Sequence, residues 1–390
     1  MTEPEWIDAR SACALLGVRA QTLYAYASRA LVRVQSDRDD ARRSLYARAD
    51  ILALLARHRR PRARAEVARA AIRWGDPVLS TSVSDIGDGQ LRFAGRPAED
   101  CARDMSCEDI AAHLCAIAPF STPVVAFDGG GDSALGRVLS TLSARAATAA
   151  PMQGRPRAEI GGELPALLAG VTDAMLGRAG EGAVHLRFRA AWGLDTAAAD
   201  AVRRALVLLS DHELNPSTFA VRVCASTGAS LPAALLAGMA TLSGPRHGGV
   251  AVLAREALQA ARRGQFGAFL SAHPGVSPYG FGFGHPLYPD GDIRARCLLD
   301  ALPAQDGTRA AVGAAAVHLG LAPNIDAALA ALAECHALPA TAAFAIFGVG
   351  RMAGWAAHAI EQAQSGEIIR PRARYAAPCG AASGRPSGGV

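Results

Sequence analysis

Gly244-Pro245-Arg246-His247-Gly248-Gly249 separates two long helical runs, and the way those runs flank it decides the fold class. Upstream, Val223 to Pro245 carries no charge over a length that would span a bilayer. Its Ser226, Thr227, Ser230, Thr241 and Ser243, with Pro232 and several glycines, make a buried helix of a large α protein the expected form. Downstream, residues 250–263 read as an amphipathic helix. Working outward, Ala-, Leu- and Arg-rich runs at 163–175, 196–210, 217–224, 294–302, 309–319, 325–335 and 350–364 alternate with Gly/Pro breaks. Strand signals are few: Val78 to Val83 and Gln90 to Phe93, across Gly87-Asp88-Gly89, suggest one hairpin. The expected fold is mainly α.

Composition agrees with a large buried core. Of 390 residues, 51% are hydrophobic and 19% charged, too apolar for a disordered chain. The net charge of +5 comes from 40 basic residues that are all arginine, because the chain has no lysine. Uniform arginine amid abundant alanine reads as composition bias and says nothing about a polyanionic partner. Eight cysteines form no CxxC pair, and no Cys/His cluster has zinc spacing, so a reduced, cytoplasmic chain without a metal is expected. The start, MTEPEWIDAR, places acids before any apolar run, unlike a secretory signal. No G-x-G-x-x-G follows a strand and no P-loop occurs, so neither a dinucleotide nor a triphosphate cofactor is indicated.

Residues 1–56 read as a small separate domain. Asp8 is a plausible N-cap for a helix over Ala9 to Leu16, and Gly17 a C-cap. A second helix runs from Gln21 to about Ala30. A charged stretch, Ser36 to Arg43, separates Val32-Val34 from Leu45-Tyr46, and a third helix follows at Ala49 to Leu55. With Ala12 to Val18, Thr22-Leu23-Tyr24 and Ser44-Leu45-Tyr46, this layout resembles the winged helix-turn-helix of excisionases and mercury-resistance regulators. The resemblance implies DNA as a partner, with Thr22 and Tyr24 in the major groove and the wing arginines Arg38, Arg42 and Arg43 on phosphates. Residues 57–78, with Arg59, Arg60, Arg62 and Arg64, read as a basic linker helix, and 376–390 as a disordered tail.

Most histidines, among them His58, His113, His185, His318, His336 and His358, lie inside regular runs and are expected in surfaces or satisfied cores. Three sit at breaks: His247, His212 in Asp211-His212-Glu213-Leu214-Asn215, and His285 in Gly282-Phe283-Gly284-His285-Pro286-Leu287-Tyr288. Glycine flanks let backbone approach a ligand, and a histidine there faces a cleft more readily than a core. Further on come Arg294, Asn324-Ile325-Asp326, Gly350-Arg351-Met352-Ala353-Gly354-Trp355 and Arg370-Pro371. These motifs, in this order, resemble those of the citrate synthase family. The likeness runs from about Ser80 to Tyr375 and includes Leu91 to Arg96, similar to the family's N-terminal hairpin.

The resemblance implies a two-domain helical fold over 79–375, with a large part (79–247 and 335–375) and a small part (248–334). It implies acetyl-CoA and oxaloacetate as substrates, joined by enolisation, aldol-type addition and thioester hydrolysis without metal. Asp326 would be the base, His247 the donor to the enol oxygen, and His285 the group that polarises the ketone. His212, His285, Arg294, Arg351 and Arg370 would hold oxaloacetate, because arginine's planar fork matches a carboxylate. Arg370 would reach the neighbouring subunit's site, which implies a homodimer. Gly282, Phe283 and Gly284 would touch CoA, within a glycine-rich hinge spanning Gly275 to Gly284.

The chain departs from the pattern at Pro286, Pro289, Ile293 and Val250, and is short between His285 and Asp326. These departures leave acetyl-CoA against propionyl-CoA, which would give 2-methylcitrate, open. One alternative is a DNA-binding transcriptional regulator whose synthase-like domain senses a dicarboxylate or acyl-CoA; another is the reverse cleavage of citryl-CoA. Retention of Asp326, His247 and His285 favours an enzyme over a sensor, which needs the arginines but not the base.

Overall fold

The computed structural model describes residues 6–16, 18, 20–28, 31–37, 40, 43–52, 79–127, 130–303 and 307–372. Gly17, Arg38, Arg42, the basic run at 57–78 and the tail at 376–390 lie outside the described residues. The chain divides into two compact units, Met1–Ser80 and Thr81–Val390.

In the first unit, β1 (Trp6–Asp8) leads into α1 (Ala9–Leu16) and α2 (Ala20–Ser28), followed by β2 (Val34–Ser36) and β3 (Ser44–Ala47). The strands form an antiparallel sheet in the order β1-β3-β2. Asp8 Oδ1 accepts the Ser11 N–H at 2.7 Å, which starts α1 as its sequence suggests. Ile7, Ala12, Leu16, Leu23, Val32, Tyr46 and Ile51 make a small core of their own. β1 was not anticipated, since three residues are too few to show alternation. On α2, Thr22 is half-buried and Tyr24 is 54% exposed. Arg43 is exposed and 3.6 Å from Asp8, a solvated pair that adds little stability.

The second unit opens with a three-stranded meander, β4 (Ser84–Gly87), β5 (Gln90–Phe93) and β6 (Arg96–Pro97). Asp88 and Gly89 both have positive φ, the two-residue turn that matches the twist of a tight hairpin. That turn pairs Gly87 with Gln90, so the hairpin's first strand is Ser84–Gly87 and not the expected run ending at Val83. Helices then follow: α3 (Ala98–Asp104), α4 (Cys107–Cys115), α5 (Ala134–Thr148), α6 (Arg157–Gly161), α7 (Leu164–Leu176), α8 (Val184–Trp192) and α9 (Thr196–Leu208). They continue as α10 (Pro216–Ser226), α11 (Leu231–Leu242), α12 (Val250–Arg262), α13 (Phe266–Ala272), α14 (Ile293–Asp300), α15 (Thr308–Leu319), α16 (Ile325–Cys335) and α17 (Ala342–Ser365). No disulfide joins the described cysteines.

The uncharged stretch from Val223 is split at Thr227 to Ser230, between α10 and α11. The one described helix long and apolar enough to cross a membrane is α17, and 94% of its apolar window is buried inside the protein. Alanine and glycine let neighbours approach all its faces, and α4, α7, α9, α10 and α11 pack around it. It begins earlier than the run at 350–364 suggests, because burial compensates for the poor helix propensity of Gly348 and Gly350. In a second group, α16 packs against α12, α14 and α15, and α12 also against α15; the groups meet where α16 touches α17 and where α14 touches α9.

One buried ion pair braces the first group. Arg187 and Asp173 are 2% and 0% exposed; Arg187 Nη1 donates to both carboxylate oxygens at 2.8 and 2.9 Å, and Nη2 to Pro123 O at 2.7 Å. Asp173→Ala leaves a buried guanidinium unpaired and is expected to lower stability by about 3–5 kcal/mol in urea unfolding. A loss below about 1 kcal/mol would contradict the pairing.

Candidate active site

Five of the candidate catalytic and oxaloacetate-binding residues stand in connections or in the first turn of a helix. His212 lies between α9 and α10, His247 just before α12, His285 before α14, Arg294 in the first turn of α14, and Asp326 in the first turn of α16. Only Arg351 is in a helix interior, on α17. Helix ends carry unpaired backbone groups that short polar residues must cap, and those caps fix the neighbouring side chains. Asn324 Oδ1 accepts the Asp326 N–H at 3.0 Å, and Asp292 Oδ1 accepts the Arg294 N–H at 3.0 Å.

The His212 and His285 rings lie 5.1 Å apart, edge to face. Tyr288 stands against both: its hydroxyl is 3.0 Å from His212 Nε2, and its ring is 4.9 Å from that of His285. The Arg294 guanidinium carbon lies over the Tyr288 ring, 5.4 Å from its centroid. His285 Nδ1 accepts the Leu287 N–H at 3.1 Å, so a neutral His285 carries its proton on Nε2. His247 Nε2 is 2.9 Å from Ser217 Oγ, which also accepts from Trp355 Nε1 at 3.3 Å. Phe347 joins His247 to Arg351: its ring is 5.9 Å from the imidazole and 5.0 Å from the guanidinium carbon.

Burial sets the protonation states. Asp326 is 9% exposed, and desolvation pushes its carboxyl up to about 7 even though Arg294 and Arg351 favour its charged form. Desolvation, with the Arg351 charge, pulls His247 down to about 4; desolvation, with Arg294, does the same to His285. His212 lies well below its ordinary value through burial and then the charges of Arg294, His285, Arg351 and His247. Burial pulls Arg351 down to about 10, which leaves it charged at neutral pH. Arg351 is 1% exposed; its Nε donates to Leu209 O at 2.6 Å, while Nη1 has no hydrogen-bond partner in the protein.

Arg294 differs from that picture. Asp292 takes its Nε at 2.9 Å and its Nη2 at 2.8 Å, and also accepts the Ile325 N–H at 3.1 Å. Much of its charge is thus neutralised within the protein. Arg370 is exposed on the segment after α17 and is not brought into the cluster. In the glycine-rich loop, Pro278–Phe281 forms a 3-10 turn whose Phe281 packs with Phe266, Phe269 and Phe283. Phe283 is 4% exposed, so its ring serves this aromatic core. Gly282 has φ 102°, and a Cβ there would fall 2.8 Å from Ala327 N, so only glycine lets the loop lie on the start of α16. Half-buried Gly284 donates its N–H to Ala322 O at 2.7 Å.

Ser217, Tyr288, Asp292 and Phe347 belong to the cluster but were not singled out from sequence. Tyr288 and Asp292 stand in or beside the quoted loop; nothing marks Ser217 or Phe347. Two cavities, of about 340 and 290 Å³, flank α14 on the sides of Asp292 and Cys297. Neither is lined by the three histidines.

Two of the histidines have folded-state values lowered from 6.5 to about 4, so their contribution to stability is present above pH 6.5 and is lost as pH falls toward 4. Asp326, raised from 3.8 to about 7, acts oppositely: its contribution is present below 3.8 and is lost as pH rises through 7. Ring resonances of His247 and His285 are expected to stay in their neutral positions from pH 8 to 5.5. Titration near pH 6.5 would contradict their burial.

The family model "Citrate synthase, C-terminal domain" matches residues 133–372, more than half of the chain. Citrate synthase 2 of Bacillus subtilis is 32% identical over 195 residues, which cover 46% of this chain and 51% of that protein. A 2-methylcitrate synthase of Shewanella oneidensis is 32% identical over 185 residues, 44% of this chain and 48% of that protein. The chain thus spans about half the length of the curated relatives it matches. Among solved structures, a citrate synthase from Thermoplasma acidophilum, in ternary complex with carboxymethyl coenzyme A and oxaloacetate, superposes with a TM-score of 0.65 at 22% identity. That match covers 78% of this chain and 94% of the other, and shows the fold. Motif order, fold and family match agree: the chain belongs to the citrate synthase family.

Proposed function

We propose that the chain is a citrate synthase-type acyltransferase that condenses a short acyl-CoA with oxaloacetate. The observation that carries this reading is a buried carboxyl, Asp326, held near pH 7 in a cluster with neutral imidazoles and two buried arginines. A thioester's α-carbon gives up a proton reluctantly, so the base must be paired with a donor to the enolate oxygen as charge develops there.

In this reading Asp326 takes the proton from the acyl α-carbon and His247 donates to the thioester oxygen. Ser217 has one hydroxyl proton, within reach of Asn215 Oδ1 at 2.7 Å and of His247 Nε2 at 2.9 Å. When Ser217 donates to Nε2, the neutral imidazole keeps its proton on Nδ1 as the donor. The enol carbon attacks the keto carbon of oxaloacetate, and the oxygen that becomes alkoxide takes a proton from His285 Nε2. Water then cleaves the C–S bond, releasing CoA and the tricarboxylate. The unpartnered Nη1 of Arg351 suits one substrate carboxylate, because a buried guanidinium without its full set of acceptors is costly. Arg294, already anchored by Asp292, supplies a fixed positive edge, and His212 a neutral contact. By family resemblance Arg370 acts on a neighbouring subunit's site in a homodimer, consistent with its exposure here.

Purified protein is expected to release free thiol from acetyl- or propionyl-CoA only when oxaloacetate is present; no release from either donor would contradict the proposal. The ratio of the two kcat/KM values tells citrate from 2-methylcitrate formation. Asp326→Asn should lower kcat by about 10²–10⁴-fold. Arg351→Ala should act mainly on the oxaloacetate KM, raising it about 30-fold or more, and an unchanged KM would remove Arg351 from the site. Since Asp326 must be ionised to act, the rate should rise with pH through about 7.

A further inference from the structure

Three consecutive residues before His212 bind in turn along one stripe of α17. Leu209 O accepts from Arg351 Nε at 2.6 Å, Ser210 O accepts the Gly354 N–H at 2.9 Å, and Asp211 Oδ2 is 3.2 Å from His358 Nε2. Positions 351, 354 and 358 are three and four residues apart and so share a face of the helix. The fit has no slack: a Cβ at Gly354 would fall against Ser210 O and 2.5 Å from Asp211 Oδ1.

The same carboxylate also closes the turn on the other side of His212. Asp211 Oδ2 accepts from Ser84 Oγ and from the Glu213 N–H, the latter at 3.1 Å, and Ser84 Oγ accepts that N–H at 3.2 Å. Glu213 is held at φ 48°, a left-handed conformation that a glutamate adopts only at a cost. Asp211 and His358 are fully buried, and Asp211 Oδ1 and His358 Nδ1 have no hydrogen-bond partner in the protein. The arrangement reaches further through Glu361. Its carboxylate lies 3.9 Å from His358 Nδ1, pairs with Arg222 at 3.0 Å, and accepts from Thr81 Oγ1 at 2.8 Å and from the Ser82 N–H at 2.7 Å.

We propose that Asp211 and His358 are positioning residues: with the backbone of 209–210 they form a zipper that sets His212 in register with Arg351. Neither side chain needs to touch a substrate. Their effect is to fix, on one rigid helix, the imidazole that meets Tyr288 and the guanidinium that faces the dicarboxylate, which rests on the functional reading above. A one-turn slip would separate the two, and Glu213 would relax out of its left-handed conformation.

The zipper is tested in the full chain with Asp211→Asn, His358→Leu and His358→Gln, the last of which retains an N–H donor. Amide hydrogen exchange of residues 209–213 is expected to speed at least about tenfold in the first two variants and little in His358→Gln. The assigned His212 ring resonance should shift in the same two. With oxaloacetate and acyl-CoA, the oxaloacetate KM should rise about tenfold or more while the acyl-CoA KM is unchanged, with rescue in His358→Gln. Unchanged exchange at 209–213 would overturn the proposal. So would exchange quickened evenly throughout the unit with both KM values unchanged, the signature of a merely destabilised protein. A wild-type protein that releases no thiol would sink the enzymatic reading alone, while exchange and the His212 resonance still decide the zipper.

Discussion

Charge without water is the constraint on which the rest of this structure depends. Arg351 sits at 1% exposure within an alanine- and glycine-rich helix that is itself surrounded by helices. A guanidinium in such a place is tolerated only with fixed acceptors and nearby negative groups. Leu209 O supplies one acceptor, and Asp211 and Asp326 supply the field. The packing of α17 therefore determines more than stability: its burial draws Arg351 down only to about 10, so the guanidinium stays charged at neutral pH, while Asp326 is raised to about 7 and His247 and His285 are held neutral.

The histidines follow from the same balance. Desolvation is the first reason their charged forms are disfavoured, and one arginine adds to it in each case, Arg351 at His247 and Arg294 at His285, so both hold as neutral donors. Asp326 feels opposing influences, since burial favours its protonated form and the arginines favour its anion. A carboxyl left near 7 can both accept and return a proton at physiological pH, which a fully ionised surface aspartate does poorly.

Much of this was legible in the chain. Polar and glycine-rich breaks located His212, His247 and His285, and the ordered motifs located Arg294, Asp326 and Arg351; the structure brings these together. What was hidden depends on long-range hydrogen bonds. Ser217 meets His247 across 30 residues, and Asp211 meets Ser84 across 127 and His358 across 147, contacts that leave no periodic trace. His358 was grouped with the histidines of surfaces or satisfied cores; it is wholly buried and hydrogen-bonded to the residue before His212. Phe283, expected to touch CoA, packs into the aromatic core because the loop's glycines seat it on α16. Sequence alone also placed the first hairpin strand too early, since pairing is fixed by the two-residue turn at Asp88-Gly89 and not by the apolar run before it.

Burial holds the Asp326 carboxyl half-ionised near neutral pH. Infrared difference spectra of wild-type protein against Asp326→Asn, taken across pH 4 to 9, test it directly. A protonated carboxyl band lost with a midpoint near pH 7 and absent from the variant is expected. A carboxylate already ionised throughout that range would contradict it.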